Sequence, residues 1–249
     1  MRNFKRHTLT FLAFPRQLLQ IDAIRNFFCY VRWVFLKRKI KTLSGSENDK
    51  NIYKETVKFN RIGLEDMDGA RTHQLIRPLV SIERVSRKQN QLKVLSIGPR
   101  NEAEIFNLWA YGFSLKNITG LDLISYSPYI QIGDMHQMCF QSESFDIVIA
   151  GWVLVYSQNP ELAAKEIVRV SKDQAIIAVT ASYNNTSPEV IIERYGSLDA
   201  KRFDTLDSIK KAFDGHIDFI YFQQAVDPLF VNDIASPILI FRVKKENSK

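Results

Sequence analysis

Cysteine, histidine and glycine are all scarce in this 249-residue chain, and each scarcity removes a class of explanation. The two cysteines, Cys29 and Cys139, stand far apart with no CxxC spacing. That excludes a disulfide framework and a zinc signature, and it points to a reducing, cytoplasmic setting. The four histidines, His7, His73, His136 and His216, are scattered, so no metal site is expected. No P-loop, nucleophilic triad or glycosidase carboxylate pair stands out. Internal repeats and low-complexity tracts are absent. No apolar run is clean enough to span a membrane, because the best helical stretch carries Asp22, Arg25 and Arg32, each costly at mid-bilayer. Pro15 and Arg16 interrupt the apolar run ahead of that stretch, which argues against a signal peptide.

Charge of both signs is present, but unevenly placed. Residues 1–41 hold ten Lys or Arg and one acid, Asp22, whereas the remainder holds 24 bases and 26 acids. The net charge of +7 therefore describes an N-terminal arm and not the main domain. A nucleic-acid partner is not expected on that distribution. The length suits one sizeable α/β domain with an extension. We divide the chain into a basic helical arm at 1–43, a polar linker at 44–60 containing Ser44 to Asn51, and an α/β domain at 61–249 with its core at 93–183.

Within the arm, residues 16–41 read as one helix, with Leu18, Ile21, Ile24, Phe28, Val31 and Phe35 at three- and four-residue steps. Two uses are open. The helix packs on the core or a second subunit with its basic face in water. Alternatively, residues 16–41 lie on an anionic membrane surface, with Phe27, Phe28, Trp33 and Phe35 inserted and the cations near headgroups. Between linker and core, Leu75, Ile76, Leu79, Ile82 and Val85 mark a further helix. Arg71 and His73 just ahead of it are surface or capping residues, or else this segment lids the cofactor pocket with His73 or Arg77 touching a substrate.

From Lys93 onward, strand and helix patterns alternate, which predicts a mostly parallel sheet covered on both faces. Apolar segments at 93–98, 117–123, 144–157 and 174–183 read as strands, and 102–112 and 159–172 as helices. Two late strands, within 217–223 and 237–245, suit an antiparallel pair at the sheet edge. Ligands in such sheets bind beyond the carboxyl ends of the strands. The candidate site residues come from that rule: Gly98 after the first strand, Asp122 after the second, Asp134 after a short third segment, and Ala150, Gly151 and Trp152 after the fourth. Asp122 is placed to accept hydrogen bonds from both hydroxyls of a ribose, and Asp134 from an adenine amino group, with Met135 on the ring.

The phrases "VLSIG", "GLDL", "GDMHQMCFQSESFDIVIAGWVLVY" and "ELAAKEIVRVSK", taken in this order, resemble the class I S-adenosylmethionine-dependent methyltransferases, in particular the type 11 group. The resemblance covers about Lys93 to Tyr183. It implies a Rossmann-like methyltransferase sandwich and S-adenosylmethionine as cofactor. Ribose falls to Asp122 with Leu123 beside it, adenine to Asp134 and Met135, and the methionine moiety to Gly151 and Trp152. Asp146 is structural in that family. The first motif departs from the family's acid-x-Gly-x-Gly-x-Gly, reading Ser96-Ile97-Gly98-Pro99-Arg100-Asn101-Glu102. One glycine survives of three. We expect the turn to bind still, with Gly98 and Pro99 against the cofactor, Arg100 at its carboxylate and Glu102 at its ammonium group. A dinucleotide dehydrogenase is the weaker reading, since GxGxxG is absent.

For the chemistry, His136 and Tyr156 are weak candidate catalytic residues. Tyr126, Tyr129 and Tyr156 are candidate pocket walls and Tyr183 a rim residue; Glu161, Glu166 and Glu189 read as helix surface. The acceptor class implied is a small molecule, a lipid or a sugar, with the basic arm favouring a lipid-linked one. The competing class is a methyltransferase-like scaffold without activity, favoured by the missing glycines.

Overall fold

The computed structural model describes residues 15–43, 70–157, 159–183, 203–227 and 235–245, with a few single positions besides. Of the expected linker only Val57 is described, and Glu189 and the side chains of Arg71 and His73 lie outside the described residues.

The sheet is built around apolar, β-branched runs that are buried on both faces, as parallel strands require. Its strands are β2 (Val94–Ile97), β3 (Ile118–Asp122), β5 (Ile130–Ile132), β6 (Phe145–Gly151), β7 (Ser171–Thr180), β8 (Ile217–Gln224) and β9 (Ile238–Val243). They lie in the order β5-β3-β2-β6-β7-β9-β8. The first five are mutually parallel, and β9 runs antiparallel between β7 and β8. Numbered along the chain within this sheet, the order is 3-2-1-4-5-7-6. A doubly wound dinucleotide sheet runs 3-2-1-4-5-6, so the reversed strand inserted beside β7 sets this fold apart. The late antiparallel pair expected at the edge is present, although only β8 is itself an edge strand.

Alternation along the strands divides the core into two layers. Val148 and Ala150 of β6 face α5 (Pro160–Val170) and α6 (Leu206–Ala212), while Ile147 and Ile149 face the other side. That second side is covered by α2 (Ala70–Ser81) through Leu75, Ile76 and Leu79, by Val85 of the short α3 (Glu83–Ser86), and by α4 (Glu102–Ala110) through Ile105 and Leu108. Three of these helices begin with a recognisable signal. Asn101 accepts from Ala103 N at the start of α4, Asn159 accepts from Leu162 N ahead of Pro160, and Thr205 and Ser208 form a capping box on α6.

The arm forms a third layer. Its helix α1 (Asp22–Leu36) packs on the outer side of α4, where Cys29 and Trp33 meet Ala103, Phe106 and Ala110. The single helix expected over 16–41 is broken: 3-10 turns precede and follow α1, and the chain then forms β1 (Lys41–Thr42), antiparallel to β4 (Ile124–Ser125). The expected inner and outer faces are also exchanged. Arg25 and Arg32 turn toward the protein, paired with Asp22 and Glu102. Ile21, Ile24, Phe27, Tyr30, Val34 and Phe35 turn to solvent. Trp33, expected in a membrane, is buried against the Tyr126 ring with centroids 4.8 Å apart. Among the described residues no helix is long and apolar enough to cross a membrane.

Candidate functional site

The strand order reverses between β2 and β6, and the carboxyl ends of β2, β3, β5 and β6 lie side by side there. The register pairs Ile97 with Ala150, Ile97 with Leu121, and Asp122 with Ile132. The expected convergence of Gly98, Asp122, Asp134 and Gly151 is therefore built by the sheet itself.

The turn after β2 is held by its neighbours. Gly98 adopts φ +67°, and its N–H donates to Leu121 O at 2.8 Å. Arg100 is also left-handed, φ +57°, a conformation that costs a non-glycine residue about 1 kcal/mol. It is fixed by the Asp122 carboxylate, whose Oδ2 accepts from Arg100 N at 3.0 Å while Oδ1 accepts from Ile124 N at 3.4 Å. Asp122 is buried. Burial pushes its carboxyl above the usual Asp range, opposed by the N–H groups of Arg100, Ile124 and Leu123 and by the Arg100 charge. Pro99 lies over Gly120, and the Val153 side chain covers the open face of Gly98: a Cβ there would stand 2.2 Å from Val153 Cγ1. Nothing in the sequence pattern marked Val153.

Glu102 corrects an expectation. Its carboxylate does not face a ligand's ammonium group. It is 0% exposed and receives Arg32 Nε at 2.6 Å, Arg32 Nη2 at 2.9 Å and Ser127 Oγ at 2.6 Å. Tyr126 and Tyr129 belong to the same arm-facing assembly and not to the wall of this crevice, although Tyr129 lines a separate open cavity with Leu115 and Pro128. The Tyr126 hydroxyl oxygen accepts from Glu102 N, and the Arg32 guanidinium lies 5.7 Å from the Tyr129 ring centroid. Burial, with Glu102 nearby, pushes the Cys29 thiol up to about 12, so that cysteine is held as an unreactive thiol. Leu123 binds the arm as well, its carbonyl accepting from Leu43 N at 2.8 Å.

At Ser96, where the family carries an acid, the hydroxyl donates to the carboxylate of Glu104 in the first turn of α4. A carboxylate thus stands beside the strand although the strand itself supplies none.

The loop after β5 is organised by His136. One ring nitrogen, Nδ1, lies 2.6 Å from Asp134 Oδ1, and the other, Nε2, lies 2.6 Å from Ser157 Oγ. Asp134 Oδ1 also accepts from His136 N at 2.9 Å. The order acid, imidazole, hydroxyl is that of a nucleophilic triad, but Ser157 is 1% exposed and accepts from Asn159 N, so no substrate reaches it here. The three residues tie the β5 loop to the segment after β6. Met135 packs against the core below. Glu166, expected as helix surface, clamps the same loop by accepting from Met138 N at 2.7 Å, while Arg169 beside it holds its carboxyl below the usual Glu range. Asp146 is structural as expected, receiving Lys93 N and Lys172 Nζ.

Gly151 ends β6 under Leu75 of α2, whose Cδ1 would stand 3.2 Å from an added Cβ. Trp152 comes next with φ +57°, buried, its indole N–H donating to Ser236 Oγ at 3.2 Å. Tyr156 lies in a 3-10 turn on the way to Ser157. Arg77 is exposed on α2, and Tyr183 N donates to Ala235 O. Among the described residues no group of three or more His, Cys, Asp or Glu is placed to hold a metal ion. An open cavity of about 420 Å³ lined by Leu115, Ile118, Pro128 and Gln131 lies toward the opposite end of β3 from Asp122, away from this crevice.

Comparison with known proteins agrees with the fold. Residues 95–179 match the family model described as "Methyltransferase domain". No curated protein gives a significant match to the chain. Among solved structures, the methyltransferase of the Haloferax volcanii complex with the Trm112 methyltransferase activator aligns with a TM-score of 0.53 and 15% identity, over 80% of this chain and 99% of that one. The CurJ carbon methyltransferase aligns with a TM-score of 0.51 and 11% identity, over 76% of this chain and 58% of that one. At such identities the alignments speak for the fold alone. The match over 95–179, the motif order and the sheet topology together make the α/β domain of this chain similar to the methyltransferase domains of the class I S-adenosylmethionine-dependent fold.

Proposed function

We propose that the crevice at the carboxyl ends of β2, β3 and β6 binds S-adenosylmethionine, and that the protein transfers the cofactor's methyl group to a small-molecule, lipid or sugar-type acceptor. The observation that carries this reading is Asp122, a buried acid at the end of β3 around which the half-buried turn of Gly98 and Arg100 folds. Keeping a carboxylate there works against its own desolvation, and a ribose diol is the partner that offsets it with two donated hydrogen bonds. When bound, the cofactor supplies an electrophilic sulfonium methyl group, which an acceptor lone pair takes with S-adenosylhomocysteine as the leaving product. The chain's own part is positioning. Asp122 would hold the ribose, the Asp134–His136 loop the adenine side, and Gly151 and Trp152 the methionine side. His136 and Tyr156 remain the candidates for taking a proton from an acceptor hydroxyl.

A second reading is favoured by one observation, the Val153 side chain on the open face of Gly98. A turn closed by its own neighbour suits a methyltransferase-like domain that binds a partner without using the cofactor. Calorimetric titration with S-adenosylhomocysteine separates the two. Micromolar binding that Asp122→Asn weakens supports methyl transfer. No heat at millimolar ligand, from a sample whose thermal unfolding is cooperative, supports the scaffold.

A further inference from the structure

The helix α1 is built inside out. In an ordinary surface helix the apolar stripe faces the core and the charges face water. Here the three charged residues of α1 are paired at or beneath the protein surface, Arg25 with Asp22 and Arg32 with Glu102. The opposite face carries Ile24, Phe27, Tyr30, Val34 and Phe35 and no charged side chain. Phe27 is 71% exposed and Phe35 is 77% exposed. Scattered exposed apolar residues are unremarkable on a protein, but a contiguous row of large ones along one helix marks a contact surface.

The cations just beyond the C-terminal end of α1 identify the occupant. Lys37, Arg38, Lys39 and Lys41 are all exposed, and none of them takes part in an ion pair among the described residues. An apolar row with cations at its end and no acids on it complements an anionic bilayer surface, whose acyl boundary takes aromatic and aliphatic side chains and whose headgroups take Lys and Arg. The charge imbalance of residues 1–41, ten bases to one acid, has the same sign.

The inward face explains why the row is presented rigidly. Gln20 Nε2 donates to Ala110 O at the end of α4, and Arg32 grips Glu102 at its beginning, so α1 is fastened along the whole of α4. Beyond α1, Leu43 N donates to Leu123 O and β1 pairs with β4, close after Asp122 in the chain. The docking helix and the turn that holds Asp122 therefore share one scaffold.

We infer that α1 seats the protein on anionic membranes, with Phe27 and Phe35 in the interface and Lys37, Arg38, Lys39 and Lys41 at the headgroups. The site then works on an amphiphilic acceptor held at the bilayer surface. The docking stands on its own observations; the acceptor class rests on the methyl-transfer reading.

The test is co-sedimentation of the full chain with vesicles of phosphatidylglycerol and phosphatidylcholine, against phosphatidylcholine alone. The expected result is sedimentation with the anionic vesicles at low salt, released by added salt. Phe27→Ser with Phe35→Ser should weaken it about tenfold or more. Replacing Lys37, Arg38, Lys39 and Lys41 with alanine should remove the preference for anionic lipid. Because Phe27 and Phe35 are exposed, the serine variant should unfold at the temperature of the parent and titrate S-adenosylhomocysteine unchanged. A parent protein left in the supernatant at low salt overturns the inference. So does sedimentation that the serine variant leaves intact. A parent that light scattering shows to be a dimer, and that the serine substitutions make monomeric without any lipid binding, gives the face to a second copy and also overturns it. Vesicle binding without cofactor binding would leave the docking standing and remove only the methyl-transfer reading.

Discussion

Arg32 and Glu102 form a two-pronged ion pair across 70 residues of sequence, Nε to Oε2 at 2.6 Å and Nη2 to Oε1 at 2.9 Å. Glu102 is the first residue of the helix that opens at the candidate cofactor turn, and it is wholly buried. Removing one member of such a pair strands a charge without water. Arg32→Ala should therefore destabilise the protein by about 3 kcal/mol, the lower end of the range because the Arg32 side chain keeps partial contact with solvent. The urea midpoint measures it. Arg32→Met combined with Glu102→Leu should recover most of the loss, since replacing both charges by apolar groups removes the desolvation penalty along with the attraction. If the double variant is no more stable than Arg32→Ala, the pair is not the link between arm and domain.

Asp122 makes a pH-dependent prediction whose sign is fixed by burial. A carboxyl with a raised folded pKa contributes most to stability below the usual Asp value, and that contribution is lost as pH rises through the raised value. Binding has the opposite sense. A ribose diol needs the ionised form to accept two hydrogen bonds, so affinity for S-adenosylhomocysteine should fall as pH drops from neutrality, beginning above the usual Asp range. Asp122→Asn should reduce affinity roughly 10- to 100-fold and flatten both pH dependences. Titrations across the acid limb test it, and an affinity that does not change with pH in the parent would count against Asp122 as the ribose ligand.

The sheet was readable because its signals are local. Runs such as Ile147-Val148-Ile149-Ala150 are too short for a helix and too apolar for an edge, and they alternate with segments opened by Asn101 and Asn159. The helix α6 carried an equally local signal, Thr205 three residues ahead of Ser208 and then Ile209, which the strand–helix pattern alone does not use. The face of α1 was not readable in the same way. Periodicity locates an apolar stripe, and the inside is ordinarily where the stripe points. Here the seam is made by Cys29 and Trp33 with two arginines, Arg25 held locally by Asp22 and Leu19 O and Arg32 by the buried Glu102, far along the chain. For the same reason Glu102, Tyr126 and Tyr129 were expected in the crevice. They sit close to it in sequence, while their partners come from residues 25–36.

Val153 sets the width of the turn. Its Cγ1 occupies the space a Cβ on Gly98 would need, so Gly98→Ala fails twice, by steric overlap and by a left-handed φ. Val153→Ala should cost about 1 kcal/mol of stability through lost packing. In return it uncovers Gly98 and should tighten S-adenosylhomocysteine binding. Parallel thermal-unfolding and calorimetric measurements on this one variant check both directions. A variant that loses stability without gaining affinity would place Val153 outside the binding region and strengthen the scaffold reading.

His136 joins Asp134 to Ser157 through opposite ring nitrogens, both at 2.6 Å. With Asp134 ionised, Nδ1 carries the proton and Nε2 accepts from the Ser157 hydroxyl, which in turn accepts from Asn159 N. Ser157→Ala removes the middle of that chain and deprives both the half-buried Nε2 and the Asn159 amide of the partner that the buried Ser157 hydroxyl supplies. The expected loss is about 1–2 kcal/mol. Because the Glu166 clamp on Met138 N survives, the loop should loosen around Asp134 to Gln137 before it loosens around Met138. Amide exchange resolves the two: faster exchange at His136 and Gln137 with Met138 still protected is the outcome expected of a tie. Equal loosening of the whole loop would mean that His136 and the Glu166–Arg169 clamp act as one unit, and unchanged exchange would leave Ser157 without a structural part and favour the proton-accepting role proposed for His136 over a structural one.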